Sequence, residues 1–164
     1  ESDESGVAEP GTLGRAEVPQ AKIEGVIALV DALAASEEVE PADLALESGR
    51  ALDYYLAAAR LLGLVDRRRR LLVHGRQLAR LQQERRLAFL AVRFEESGVG
   101  RAWRAWARAA TLADVDAESA DQFLADRTSL TGTTLPTRAG TIRRWHRVLM
   151  PYHWAALSED ARSR

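Results

Sequence analysis

The chain has 164 residues, of which 46% are hydrophobic and 29% are charged, and it contains no cysteine. This composition is typical of a globular protein with room for one good core, and the lack of cysteine excludes disulfides and thiolate metal sites. No apolar run approaches the roughly 18 residues that a membrane-spanning helix needs, so we expect no membrane partner. The chain starts with Glu1 instead of Met, which suggests a trimmed chain or a piece of a longer one.

Charge is distributed unevenly along the sequence, although the formal net charge is only -1. Residues 1–47 contain twelve acidic and two basic side chains, whereas residues 48–164 contain twelve acidic and twenty-one basic side chains. Lys22 is the only lysine, and arginine suits bidentate contacts with phosphate and guanine better than lysine does. This asymmetry indicates an acidic segment beside a basic surface.

The first twenty residues are acidic, are punctuated by glycine and proline, and lack any apolar period. We therefore predict that residues 1–20 form a disordered acidic tail. Such a tail is in most cases only solubilising, but an acidic segment can also compete with DNA for a basic face.

Three helices are predicted between residues 23 and 62. The first covers residues 23–34, where apolar side chains recur at helical spacing. The second is short, covers residues 41–47 and opens on a proline, which the first turn of a helix tolerates. After a turn at Ser48 and Gly49, the third helix covers residues 50–62, and Gly63 is placed to end it in a left-handed conformation.

Four consecutive arginines, residues 67–70, stand between two short apolar segments. The pattern predicts a β-hairpin with strands at residues 64–65 and 71–73 and the arginines at the bend. Such a bend can be a solvated turn that resists edge pairing, or it can be a tip that contacts phosphate. The helices that precede it favour the phosphate interpretation.

The second half of the chain is predicted to be helical over residues 75–97, 101–115, 119–130 and 138–157. Gly98 and Gly100 are expected to end the first of these helices before the second begins. The threonine-rich stretch 131–137 is expected to be a loop, with Thr137 as an N-cap, and Pro151 is expected to bend or end the last helix. The four tryptophans are expected to be core or interface anchors.

The order of three helices and a hairpin resembles the winged helix-turn-helix class of DNA-binding domains. The stretch "YYLAAARLLGLV" is similar to the end of a recognition helix that runs into a wing, and "LLVHGRQLARL" is similar to the strand and helix start that follow. His74 departs from the threonine that is commoner at its position. The segment "TRAGTIRRW" resembles the ending of winged-helix modules attached to bacterial restriction and defence proteins.

The resemblance implies a mainly α protein with a winged helix-turn-helix of three helices and a short β-hairpin at residues 21–81. Residues 82–164 would form a C-terminal helical extension, and a second helix-turn-helix-like unit within it is an alternative that the resemblance leaves open. The partner it implies is double-stranded DNA, bound through the recognition helix and an arginine wing in bacterial regulation or defence. The side chains we expect at the DNA are Arg50, Tyr54, Arg60, Arg67, Arg68, Arg69, Arg70 and Arg76, with an auxiliary patch of Thr137, Arg138, Arg143 and Arg144.

Two other interpretations fit the same pattern. The fold can serve as a protein–protein adaptor subunit of a larger defence or ATPase assembly, and the two tryptophans within residues 101–110 favour that alternative. A homodimeric regulator with pairing C-terminal helices is a variant of the DNA-binding hypothesis. We expect no enzyme, cofactor or metal, because His74, His146 and His153 lack ligand spacing and no phosphate loop or nucleophile elbow occurs. The expected location is the cytoplasm, in association with the nucleoid.

Overall fold

The computed structural model describes residues 12–36, 38–44, 46 and 48–154, and it is mainly helical, as the sequence predicted. None of the helices within these ranges has the length and apolar character that crossing a membrane requires. The described residues form seven α-helices joined by short turns: α1 (Ile23–Ala35), α2 (Gly49–Leu61), α3 (Val73–Arg80), α4 (Gln83–Glu96), α5 (Gly98–Ala107), α6 (Ala120–Arg127) and α7 (Thr134–Leu149).

The first two α-helices lie close to their predicted positions, whereas the predicted short helix at residues 41–47 is a 3₁₀ turn at Pro41–Leu44. Residues 45 and 47 of that prediction lie outside the described residues. The Ser48 side chain caps α2 by accepting a hydrogen bond from the Ala51 amide at 3.3 Å. Capping of this kind explains why α2 begins one residue earlier than predicted.

The exit from α2 confirms the prediction for Gly63, whose φ is 74°. The Gly63 amide donates to the Arg60 carbonyl and the Leu64 amide donates to the Ala59 carbonyl, each at 2.9 Å. This pair of bonds is the Schellman arrangement, which needs a left-handed residue directly after the helix. The turn buries Leu64 completely and so directs the chain back along α2.

The predicted hairpin strands do not form in the described residues, where a single antiparallel bridge joins Val65 to Leu71. Strand pairing cannot extend beyond this bridge. Before Val65 the chain forms the Schellman turn, and after Leu71 it enters α3, of which Leu72 is the N-cap. The third residue of the predicted second strand, Val73, is therefore helical. What remains of the predicted hairpin is a five-residue loop closed by one bridge.

The long helix predicted over residues 75–97 is interrupted at Leu81 and Gln82, which have extended backbones. Arg86 stabilises this break, since its guanidinium donates to the carbonyls of Leu81 at 2.6 Å and Ala79 at 3.3 Å. The same side chain forms an ion pair with Asp31 at 2.7 Å, which ties the start of α4 to α1. An arginine that bridges the break was not recognisable from the apolar period alone.

Further boundaries differ from prediction: α5 ends at Ala107 although helix was predicted to residue 115, and α6 is shorter than predicted. Gly100 lies inside the first turn of α5, where its amide is capped by the Ser97 hydroxyl at 3.1 Å, so the chain restarts a helix immediately. Thr137 is not an N-cap, because α7 begins at Thr134 and the Thr137 hydroxyl donates to the Thr133 carbonyl at 2.8 Å. Pro151 does end the last helix, in a 3₁₀ turn at Met150–Tyr152.

Residues 12–22 pack across the C-terminal helices. Leu13 and Val18 are buried, and the Leu13 amide donates to the Arg127 carbonyl at 2.8 Å. The Trp145 indole donates to the Ala21 carbonyl at 2.7 Å. Residues 12–20 of the predicted disordered tail are thus packed structure, because their few apolar side chains and carbonyls find partners on α6 and α7. Residues 1–11 of that prediction lie outside the described residues.

Aromatic side chains fill the core between α4, α5, α6 and α7. Trp103 stacks on Phe123 with ring centroids 5.7 Å apart, and Trp145 meets Phe94 edge-on at 5.3 Å. All four side chains are completely buried. Trp103 and Trp145 are therefore core residues, which resolves the choice between core and interface that the sequence left open.

His146 on α7 is a buried polar residue of this core, and its Nε2 lies 2.8 Å from the Leu112 carbonyl. The imidazole therefore donates this hydrogen bond from Nε2. Burial lowers the pKa of His146 below its ordinary value of 6.5, because the charged ring would lose its hydration.

The lowered pKa of His146 predicts a loss of stability in mild acid. Below pH 6.5 the unfolded chain binds a proton at His146 before the folded chain does, so the free energy of unfolding should fall as the pH drops from 7.5 toward 5.5. His146→Gln keeps a donor for the Leu112 carbonyl without this titration, and it should flatten the profile measured by urea unfolding. Equal slopes in the two proteins would contradict the prediction.

Two glycines provide a matched test of packing. A Cβ on Gly75 would lie 2.2 Å from the Leu64 carbonyl oxygen, so Gly75→Ala should lower the free energy of unfolding by about 1–3 kcal/mol. A Cβ on Gly140, inside α7, would meet nothing within 4 Å. Gly140→Ala should therefore raise the free energy of unfolding by roughly 0.5–1 kcal/mol. Urea unfolding that gives the same sign for both variants would contradict the packing described for Gly75.

Candidate nucleic-acid interface

One face of α2 is apolar and buried. The opposite face, called the open face below, carries exposed charged side chains, but Tyr54 and Ala57 on it are half-buried and border a pocket with residues 15–20. Leu52, Leu56 and Ala59 are buried on the first face. Arg50 and Tyr54 lie on the open face and are joined to each other, because Arg50 Nε donates to the Tyr54 hydroxyl at 2.8 Å. The Arg50 guanidinium also lies 5.6 Å from the centre of the Tyr54 ring. This pair holds a positive charge at the first turn of α2.

The backbone of the arginine tip (residues 66–70) is organised by the side chain of Asp66. Its Oδ1 accepts hydrogen bonds from the amides of Arg68 at 2.8 Å and Arg70 at 2.9 Å. The Asp66 amide in turn donates to the Arg70 carbonyl at 2.9 Å. The bond from the Arg70 amide is the main reason that the pKa of Asp66 is below its ordinary value. These bonds use backbone groups of the tip, and its four arginine residues are all exposed.

Arg69 connects the tip to α2. Its backbone is left-handed, with φ 65°, and its guanidinium lies 3.5 Å from the Asp53 carboxylate on the open face of α2. Both side chains are more than half exposed. With 3.6 residues per turn, Asp53 and Arg50 are only about 60° apart around the helix axis. The tip and Arg50 therefore border the same open face.

Arg60 and Arg67 face each other across a cleft on this side of the molecule. The cleft has a volume of about 470 Å³ and also includes Ala57, Leu61 and Glu17. Both arginines are exposed, and neither forms an ion pair with an acidic side chain among the described residues. The arginine tip and the last turn of α2 thus each contribute one arginine to the same cleft, which also contains the acidic residue Glu17.

A second, larger groove lies on the other side of the tip. It has a volume of about 920 Å³ and is bordered by the end of α1, by α3 and by the tip. Arg76 bends back toward the tip, since its guanidinium donates to the Leu71 carbonyl at 2.9 Å. The groove contains five arginines and one acidic side chain, which are Arg68, Arg69, Arg70, Arg76, Arg80 and Glu38.

Arg80 was absent from the predicted set of DNA-contacting residues. It lies four residues after Arg76 on α3, so the two side chains share one face of that helix. That spacing was visible in the sequence and would have identified Arg80 as part of the basic surface.

The predicted auxiliary patch on α7 is dispersed. Arg138 is buried, and its guanidinium donates to the carbonyls of Arg15 at 3.0 Å and Val18 at 2.5 Å. Arg143 is directed toward α6, where it pairs with Asp121. Thr137 and Arg144 are exposed, and Arg144 has no ion pair with a described acidic residue. Burial and then the charge of Arg15 lower the pKa of Arg138.

Within the described ranges, no three side chains of His, Cys, Asp or Glu come together as ligands for a metal ion. His74 contacts Arg93 at 3.3 Å and Gln77 at 3.1 Å, and its ring packs against Phe89 with centroids 5.9 Å apart. This histidine therefore belongs to the packing between α3 and α4.

Comparison with protein-family models, with curated proteins and with solved structures finds no match for this chain. Functional inference therefore depends on the geometry and charge of the surface formed by α2, the arginine tip and α3.

The role of Asp66 leads to a prediction about the order of the tip. Asp66→Ala removes the acceptor for two amides, so hydrogen exchange at Arg68 and Arg70 should become faster, as measured by NMR. Asp66→Asn keeps a side-chain oxygen in the same place, and its exchange rates should change less. If the alanine variant leaves both rates unchanged, Asp66 does not organise the tip.

Proposed function

We propose that this protein binds double-stranded DNA through the open face of α2 together with the arginine tip. The observation that carries the proposal is the position of the tip beside the open face of α2, which is marked by the 3.5 Å distance between the Arg69 guanidinium and the Asp53 carboxylate. In this proposal residues 23–72 act as a reduced winged helix-turn-helix, with α2 as the recognition helix and the tip as a minimal wing.

The charge of this part of the chain supports a polyanionic partner. Residues 50–108 contain fourteen basic and five acidic side chains. DNA binding of this kind is driven largely by the release of counterions from the phosphates that the basic side chains contact. Arginine adds bidentate geometry to that attraction, which suits both phosphate oxygens and the edge of guanine.

The individual side chains suggest a division of roles. Arg67, Arg68 and Arg70 are exposed and have no ion pair with a described acidic residue, so they are available to phosphates. The exposed pair of Arg69 and Asp53 is a weak interaction, and Arg69 can exchange it for a phosphate contact. Arg50, held by Tyr54 at the first turn of α2, is the side chain we assign to a base edge or a neighbouring phosphate.

The adaptor alternative has lost the feature that favoured it. Trp103 is completely buried, and Trp106 is half-buried with its indole donating to Asp126 at 2.9 Å. Neither tryptophan stands out from the surface as an anchor for a partner.

The setting we propose for DNA binding is bacterial regulation or defence, and its support is the resemblance of "TRAGTIRRW" to winged-helix modules of restriction and defence proteins.

The salt dependence of DNA binding tests the proposal. The double variant Arg67→Ala and Arg68→Ala should weaken binding to a mixed-sequence duplex, because two phosphate contacts are lost. The slope of log K against log salt should become shallower by about 1–2 units. Fluorescence anisotropy with a labelled duplex over a series of salt concentrations measures both quantities.

Arg147→Ala provides the matched control. Arg147 is an exposed arginine near the far end of α7, where it pairs with Glu118, so its removal should leave affinity and slope unchanged. The control removes one positive charge where the tip variant removes two, so a loss in the control about half as large as in the tip variant would mean that binding reflects net charge alone. Absence of binding to any duplex at low salt would overturn the proposed function.

A further inference from the structure

The outer face of α4 carries a stripe of side chains that the proposed function does not use. Arg85 and Glu96 are exposed, Val92 is 39% exposed, and Phe89 is half-buried. With about 100° of rotation per residue, these four side chains lie within about 60° of one another around the axis of α4. The stripe faces away from the buried Leu90, Ala91 and Phe94, which hold α4 on the core.

The order of residues along the stripe is self-complementary. Arg85 lies four residues before Phe89, and Glu96 lies four residues after Val92. If two copies of α4 pack antiparallel about a twofold axis between Phe89 and Val92, each Phe89 meets the partner's Val92. The same arrangement brings each Arg85 opposite the partner's Glu96, so that both ends of the contact are oppositely charged.

Both charged ends are available for such a contact. Arg85 has no ion pair with an acidic side chain in the described part of the chain. Glu96 pairs with Arg93 at 2.9 Å, but its side chain is 60% exposed and a carboxylate can accept a second arginine. Arg93 itself is directed inward, where its Nε donates to the Leu62 carbonyl at 2.9 Å.

Two exposed apolar side chains at the start of α3 precede a residue that contacts the stripe. Leu72 and Val73 are 39% and 54% exposed, and they immediately precede His74, whose ring packs against Phe89. Clustered apolar side chains at the surface mark contact sites more often than isolated ones do.

We propose that this stripe is the contact surface of a homodimer, in which α4 packs antiparallel against α4 of a second copy of this chain. The charge pattern favours a second copy of the chain as the partner, because the stripe is basic at one end, apolar in the middle and acidic at the other, so it complements itself. One helix per protomer makes a small contact, and we expect a reversible dimer with a dissociation constant on the order of 10–100 µM.

Reversing the charge of Arg85 or of Glu96 tests the proposed dimer, in experiments on the full chain without DNA. Arg85→Glu alone brings two carboxylates together at both ends, and Glu96→Arg alone brings two guanidinium groups together. Each variant should dimerise at least about tenfold more weakly than the parent protein in sedimentation equilibrium. An equimolar mixture of the two variants should associate again as a heterodimer, because both ends then pair opposite charges.

Thermal melting checks that each variant is folded. If Glu96→Arg is destabilised through Arg93, Glu96→Gln takes its place, and dimerisation should then weaken chiefly at low salt. The proposal is overturned if the parent protein stays monomeric into the high micromolar range. It is also overturned if both single variants dimerise like the parent, or if their mixture does not restore association.

Discussion

The way the chain leaves α2 determines the rest of the candidate surface. Gly63 in its left-handed conformation closes the Schellman turn, and Leu64 is then completely buried beneath α3. The Leu64 carbonyl accepts the Leu72 amide at 2.9 Å and lies so close to Gly75 that a side chain there would collide with it. The C-terminal half contributes as well, because Arg93 of α4 donates to the Leu62 carbonyl. Both ends of the loop are thus held by hydrogen bonds, and the arginine tip between them lies beside α2.

A loop with four adjacent arginines is tolerable only where water screens their repulsion and the backbone is held by other means. Asp66 supplies those means, since it binds two backbone amides of the tip and brings a negative charge to its base. The contact of Arg69 with Asp53 then turns one of the four side chains toward α2. The tip is thus a fixed loop that carries exposed charge, which is the property a wing requires at the DNA backbone.

Much of the fold was predictable from the sequence, because apolar periodicity and Gly63 are local signals. The positions of α1 and α2 and the end of α7 at Pro151 follow from such signals. One failure depends on contacts between distant residues, because residues 12–20 are ordered by α6 and α7. The other failure is local, because α3 begins at Val73 and so shortens the predicted hairpin.

In the candidate site, the tip lies beside Asp53 of α2, although the predicted hairpin is reduced to a single bridge. The prediction that Arg138 belongs to a DNA-contacting patch does not fit the structure, because this side chain is buried. It shares one stripe of α7 with Ile142, Trp145 and Leu149, all of them buried, and its partners are carbonyls more than one hundred residues away in the sequence. The stripe was visible in the sequence, but the carbonyls that satisfy Arg138 were not.

The central claim is that α2 and the arginine tip form one DNA-binding surface. The most direct measurement is an NMR titration of the labelled protein with a short duplex. The account predicts that amide signals of α2 near Arg50 and Arg60 and those of residues 66–70 shift together with the same dissociation constant, while signals around Arg147 stay in place. Shifts confined to the tip, with α2 unaffected, or shifts centred on α7 would contradict it.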